Sequence, residues 1–141
     1  YIAPFVYLIQ GVDSFKLLKE ISKQAVKAGR TIRVLLQVHV AQEETKYGLD
    51  EKELDEIITA QKQQPLSNIE MAGIMGMATF TDNQEQVQAE FRKLKELYDT
   101  YQKEFETFQI LSMGMSGDYK LAIKEGSNNV RIGSLLFGAR L

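Results

Sequence analysis

Alternation is the feature that most constrains this chain. Five short apolar runs rich in β-branched and aromatic residues, at 5–10, 31–40, 69–78, 108–115 and 129–137, show no helical period and read as buried strands. Between them the apolar residues fall at helical spacing: Leu17, Leu18, Ile21, Ala25 and Val26 in one stretch, Leu54, Ile57 and Ile58 in a second, Val87, Phe91, Leu94 and Leu97 in a third. Asp50 with Glu53, and Asp82 with Glu85, have the spacing of a capping box, in which side chains satisfy the N–H groups at a helix start. Residues 119–124 read as one more short helix. Strand and helix repeating at roughly thirty-residue intervals imply βαβ units, because a parallel partner is reached only through a crossover. The class is therefore α/β with a parallel sheet. It is either a small doubly wound sheet or consecutive units of a (β/α)8 TIM-type barrel. Polar residues gather where the runs end, at Gln10, Asp13, Gln37, His39, Thr79, Ser116, Arg131 and Ser134. A barrel keeps its site on that rim, which tips the expectation toward the barrel. No linker-like tract divides the chain, so residues 1–141 are expected to form a single domain.

Composition removes several function classes. With 17 Lys and Arg against 19 Asp and Glu, the net charge is −2, which offers no basic surface for nucleic acid. There is no Cys and one His, so thiolate chemistry and multi-histidine metal sites are excluded, and a cytoplasmic setting is favoured. No apolar run reaches the roughly 18 residues that span a bilayer, and no membrane role is expected. The chain opens on Tyr1 and runs straight into an apolar stretch, the look of a chain cut upstream.

Two loops carry chemistry. In 112–118, SMGMSGD, small residues and hydroxyls leave a strand and enter a helical stretch. In 126–134, GSNNVRIGS, Gly133 and Ser134 follow a short strand. Small residues permit close backbone approach and hydroxyls donate hydrogen bonds, so the pair forms a candidate anion cradle with phosphate as its natural guest, although Gly and Ser also simply make turns. Arg131 lies between Val130 and Ile132, where an unpaired guanidinium would cost several kcal/mol. Either it pairs with a core carboxylate or it is a fixed donor aimed at a ligand. His39 has no hydroxyl or carboxylate fixed beside it in sequence, and no catalytic role follows for it. Residues 42–46, QEETK, read as a solvated turn.

Residues 111–140, LSMGMSGDYKLAIKEGSNNVRIGSLLFGAR, closely resemble the C-terminal signature of the pyridoxal phosphate homeostasis proteins, a family that shares the alanine racemase N-terminal barrel. In that family the signature runs approximately SMGMS, D, AI, G, T, VRIG, FG, R. Three further segments concur: 34–48, VLLQVHVAQEETKYG, resembles the family's QVN strand and its E, K, G loop; 72–80, AGIMGMATF, resembles its GLMGM strand; 8–21, LIQGVDSFKLLKEI, resembles its VDS step from strand to helix. The resemblance covers essentially the whole chain and implies strands four to eight of the barrel.

What the resemblance implies is a pyridoxal 5′-phosphate binder acting as a non-enzymatic carrier in cofactor homeostasis. Ser116, Gly117, Gly133 and Ser134 would hold the phosphate, and Arg131 would face the pyridine nitrogen. A cation there keeps that nitrogen unprotonated and weakens the ring as an electron sink, which suits a carrier better than an aminotransferase. No catalytic or metal-binding residue is implied. The family's cofactor lysine lies on its first strand, which nothing here matches, so non-covalent binding is expected. Lys16, Lys46 and Lys120 read as solvated charges, and Met75, Met77, Met113 and Met115 as core filler. His39 stands where Asn is common and Asn128 where Thr is common, which puts a cofactor contact from residue 128 in doubt. The alternative is a racemase-like enzyme on the same barrel. Racemases of this fold add a β domain with a catalytic tyrosine; this chain ends just after the signature, and the carrier is the expectation. A barrel lacking strands one to three would expose apolar strand edges, so the partners expected are a second copy of the chain or the N-terminal segment itself.

Overall fold

Along one run Ile32, Val34 and Leu36 alternate with Arg33, Leu35 and Gln37, and the two sets face opposite sides of a strand. The computed structural model describes residues 8–40, 48–79, 81–115 and 118–131, with only the backbone of 115 and 129–131. It contains β1 (Leu8–Val12), α1 (Phe15–Ala28), β2 (Ile32–Gln37), α2 (Glu51–Gln63), β3 (Ile69–Gly76), α3 (Gln84–Gln102), β4 (Ile110–Met115), α4 (Tyr119–Lys124) and β5 (Asn129–Arg131). The strands form one sheet in the order β1-β2-β3-β4-β5. Every neighbouring pair is parallel.

That order decides between the two candidate architectures. A doubly wound sheet reverses its strand order and covers both faces with helices, whereas here the order never reverses. The large core also joins every helix to one face of the sheet: Leu18, Ile21, Leu54, Ile57, Phe91, Leu94 and Ala122 pack with Ile32, Val34, Leu36, Met71, Ile74, Leu111 and Met113. The opposite face holds a small separate cluster of Leu35, Ala72 and Met75, edged by Leu8 and Ile110. A singly wound parallel sheet with all its helices outside is the (β/α) barrel arrangement.

Local signals place most elements. Asp50 Oδ1 accepts from the Glu53 N–H at 2.8 Å while Glu53 Oε1 accepts from the Asp50 N–H at 3.0 Å, the reciprocal box expected from the spacing. At α3 the expectation shifts by one residue. Asn83, in extended conformation, is the cap, and its Oδ1 accepts from the Gln86 N–H at 3.2 Å; Asp82 lies outside the helix, exposed. In α1 the buried stripe is Leu18, Ile21, Ser22 and Ala25, and Leu17 and Val26 are exposed. Met75 and Met113 are core residues as expected.

One irregularity shapes β3. Val34 pairs with Met71 but Leu35 pairs with Gly73, so Ala72 is an extra residue in the β3 ladder. The carbonyls at this bulge are taken up from the segment before β4: Thr107 Oγ1 donates to Met71 O at 2.7 Å, and Gln109 N–H to Ala72 O at 2.9 Å. Gly73 has φ +153°, and a Cβ built there would stand 1.8 Å from the Ile110 carbonyl oxygen. Gly73→Ala is therefore expected to destabilise the fold by at least about 3 kcal/mol in urea unfolding, combining backbone strain with overpacking. Gly29→Ala, where a Cβ meets nothing within 4 Å, should cost about 1 kcal/mol. Equal losses would mean that β3 and β4 do not approach this closely.

Candidate functional site

Parallel pairing puts the C-terminal ends of all five strands on one rim. Val12, Gln37, Gly76, Met115 and Arg131 are the last residues of β1 to β5. At this end the inner face is occupied by Gln37, whose Oε1 lies 3.1 Å from where a Cβ on Gly11 would stand, and by Met75, whose Sδ lies 4.0 Å from the same point. Asp13 and Gln10 are exposed, and Asp13 precedes Ser14, whose hydroxyl caps α1.

Of the residues singled out from sequence, Ser116, Gly117, Gly133 and Ser134 lie outside the described residues, as do Lys46 and the 42–46 turn. Arg131 is described by its backbone, and the register pairs it with Met115. The ladder therefore brings the residue preceding Ser116 beside Arg131. Met115 and Arg131 end adjacent strands at the same rim. Lys16 and Lys120 are exposed, as expected of solvated charges.

Asn128 sits at the other end. Its Oδ1 accepts from the Leu111 N–H at 2.8 Å and its Nδ2 donates to Gln109 O at 2.8 Å. Leu111 and Gln109 flank the start of β4, so Asn128 ties the N-terminal ends of β4 and β5 together, remote from the rim. Both polar ends of its side chain are engaged in the ladder. Tyr98 packs nearby, and burial pushes its phenol above the ordinary value while a hydrogen bond with Asn128 opposes the rise.

Three side chains that sequence reading passed over hold the rim elements in place. Glu90, in α3, is 5% exposed; its Oε1 accepts from the Thr79 N–H at 2.6 Å, and its Oε2 accepts from the Thr79 hydroxyl at 2.7 Å and from Gln86 Nε2 at 3.2 Å. Glu125, just past α4, accepts from Gln88 Nε2 at 2.7 Å and faces Arg92 at 3.4 Å. The Gln88 hydrogen bond, followed by Arg92, holds the Glu125 carboxyl below the usual carboxylate range against its own desolvation. Ser127 donates to Met113 O at 3.0 Å. These contacts fix α4, only six residues long, against α3 and β4. On the helix side of the rim, Val38, His39, Glu51, Gln86, Glu90 and Lys93 line an open cleft of about 650 Å³. Lys93 bridges to Glu51 at 2.5 Å across it.

A model of the alanine racemase N-terminal domain matches residues 4–141. The chain belongs to that family. Among members of the family it is 41% identical over 141 residues to the pyridoxal phosphate homeostasis protein of Aquifex aeolicus strain VF5, covering 99% of this chain and 61% of that protein. It is 36% identical over 130 residues to the protein of the same name from Helicobacter pylori strain 26695, covering 92% and 56%. The chain thus spans about three-fifths of the length of these curated relatives. Among solved structures, PipY of Synechococcus elongatus without PLP superposes with a TM-score of 0.86 at 29% identity, covering 97% of this chain and 64% of PipY. The PLP-bound form of PipY gives 0.82 at 28% identity, covering 97% and 63%. D-threonine aldolase from Filomicrobium marinum, at 16% identity and a TM-score of 0.70, covering 92% and 36%, shares the fold. The fold is of the TIM-barrel type. The α/β expectation and the family resemblance both stand.

Because the folded pKa of Glu125 lies below its unfolded value, the stability it contributes is present above the ordinary carboxylate pKa and is lost as pH falls through the folded value. The stability difference between the native chain and Glu125→Gln should be largest near neutral pH and shrink as pH falls below about 4.3. Urea unfolding across that range checks it, and a difference independent of pH would remove the carboxylate from the account.

Proposed function

We propose that the chain is the part of a pyridoxal phosphate homeostasis protein that carries strands four to eight of its barrel, and that it binds pyridoxal 5′-phosphate as a non-enzymatic carrier. The observation that carries this reading is the pairing of Met115 with Arg131. Through it Met115 of the SMGMS half and Arg131 of the VRIGS half stand side by side on adjacent strands. The names of the relatives and the PLP-bound form of PipY support the choice of ligand.

The chemistry of the residues fits such a guest. Ser116 and Ser134 offer hydroxyls, Gly117 and Gly133 offer N–H groups without a side chain in the way, and Arg131 offers a permanent cation. All are donors, which suits a phosphate dianion at one end and an unprotonated pyridine nitrogen at the other. Bound there, the cofactor brings an electron-poor ring and an aldehyde. The chain's own residues hold the phosphate and keep the ring nitrogen free of a proton, which restrains the ring as an electron sink and fits carriage better than turnover. A cytoplasmic setting belongs to the same proposal.

Titration with pyridoxal 5′-phosphate tests the reading. Reversible binding is expected, weakened by roughly 1 kcal/mol in Ser116→Ala and by more if the lost hydrogen bond is to a charged oxygen. Arg131→Ala measured for both affinity and urea stability separates its two readings: a ligand donor loses affinity, a core ion pair loses stability. No binding of either pyridoxal phosphate or inorganic phosphate to the native chain would overturn the proposal.

The outer strands carry a second part of it. β1 and β5 are the ends of the sheet order, and unpaired apolar strand edges template association. We propose that they are met by the remaining strands of the longer protein or by a second copy of the chain. Light scattering over a concentration series should show self-association of the chain alone. A monodisperse monomer at high concentration, with fast amide exchange along β1 and β5, would refute it.

A further inference from the structure

Glu90 is a carboxylate 5% exposed on a helix whose outer face is charged, and the family signature does not include it. A buried carboxylate is costly unless its oxygens are hydrogen-bonded. Here both are used, and two of the three donors belong to a single residue, Thr79, gripped at its N–H and its hydroxyl. The third donor, Gln86, comes from one turn earlier in α3. Thr79 lies three residues past the end of β3, within the loop that leads to the Asn83 cap of α3. Thr79 is thus clamped to the second turn of the following helix by one bidentate contact, and the rim segment Met77–Ala78 between Gly76 and Thr79 is held at both ends.

Resting on the proposed ligand and its phosphate loop, we propose that Glu90 is a positioning residue: by fixing Thr79 it sets the wall of the rim that flanks the pyridine ring, without touching the phosphate. β3 pairs directly with β4. The start of the β3–α3 loop therefore stands one strand spacing, about 4.8 Å, from β4. A ring extending from a phosphate held after β4 and β5 comes within reach of that loop, while the phosphate oxygens stay with the other two. Glu90 should accordingly discriminate between the two parts of the ligand.

The experiment compares binding of pyridoxal 5′-phosphate and of inorganic phosphate by calorimetry in the native chain, Glu90→Ala, Glu90→Gln and Thr79→Val. Glu90→Ala should bind pyridoxal phosphate about 10-fold more weakly, with inorganic phosphate changed by less than about 2-fold. Glu90→Gln should recover to within about 3-fold of native, because its amide oxygen accepts from the Thr79 N–H while its NH₂ donates to a Thr79 hydroxyl that has turned round and to the Gln86 side-chain oxygen once that amide has flipped. Thr79→Val, which removes one contact of the clamp and keeps the fold measurable if Glu90→Ala does not fold, should lose about 3-fold for pyridoxal phosphate alone. Equal losses for the two ligands, or unchanged pyridoxal phosphate binding in Thr79→Val and Glu90→Ala, would overturn the positioning role. A native chain that binds pyridoxal phosphate while the variants do not discriminate defeats this inference alone. A native chain that binds neither ligand defeats the functional reading as well.

Discussion

Parallel pairing of consecutive strands is the constraint on which the rest of this structure depends. A parallel neighbour is reached only by carrying the chain back across the sheet, and each return here is a helix laid on the same face. From that follow the unreversed strand order, the gathering of all strand ends on one rim, and the contrast between a large outer core and the small inner cluster of Leu35, Ala72 and Met75. The candidate site inherits its location from the same rule: Met115 and Arg131, far apart in sequence, are paired in register on neighbouring strands.

How legible the fold was depended on how local each signal is. The Asp50–Glu53 box needs nothing beyond three residues of spacing, and it formed as read. Asp82 and Asn83 are both good caps, and sequence alone does not say which of two adjacent caps the tertiary fold will use; Asn83 forms the bond. Leu17 and Val26 obey helical spacing but lie beyond the edges of a narrow buried stripe in which Ser22 takes a place, its hydroxyl donating to Ser67 O. An apolar residue at the margin of a stripe carries no mark of which side of the margin it falls on.

The signature names the candidate site in sequence, but the side chains that brace the elements around it are not legible there. Glu90 looks in sequence like any solvated helix glutamate, because its partner Thr79 stands eleven residues away in a loop. Glu125 likewise meets Gln88 at a separation of thirty-seven residues. Asn128 was flagged as a departure from the family pattern, yet its work in pairing β4 with β5 becomes visible only when both strands are placed. Long-range satisfaction of buried polar groups is what a single sequence encodes least openly.

The bulge at Ala72 has a consequence for how β3 can vary in length. Before it, Met71 faces the helices; after it, Ile74 does so while Met75 faces inward, a step of three residues where an unbroken strand allows only two. The extra residue thus inverts the parity of everything downstream. Removing one residue between 71 and 74 would restore a regular ladder with Ile74 still facing the helices and Met75 still facing inward, because Met71 and Ile74 would then stand two residues apart. The rim loops accept insertions and deletions as loops generally do, and β3 can lose the one residue of its bulge, whereas a deletion beyond the bulge would turn every later side chain over.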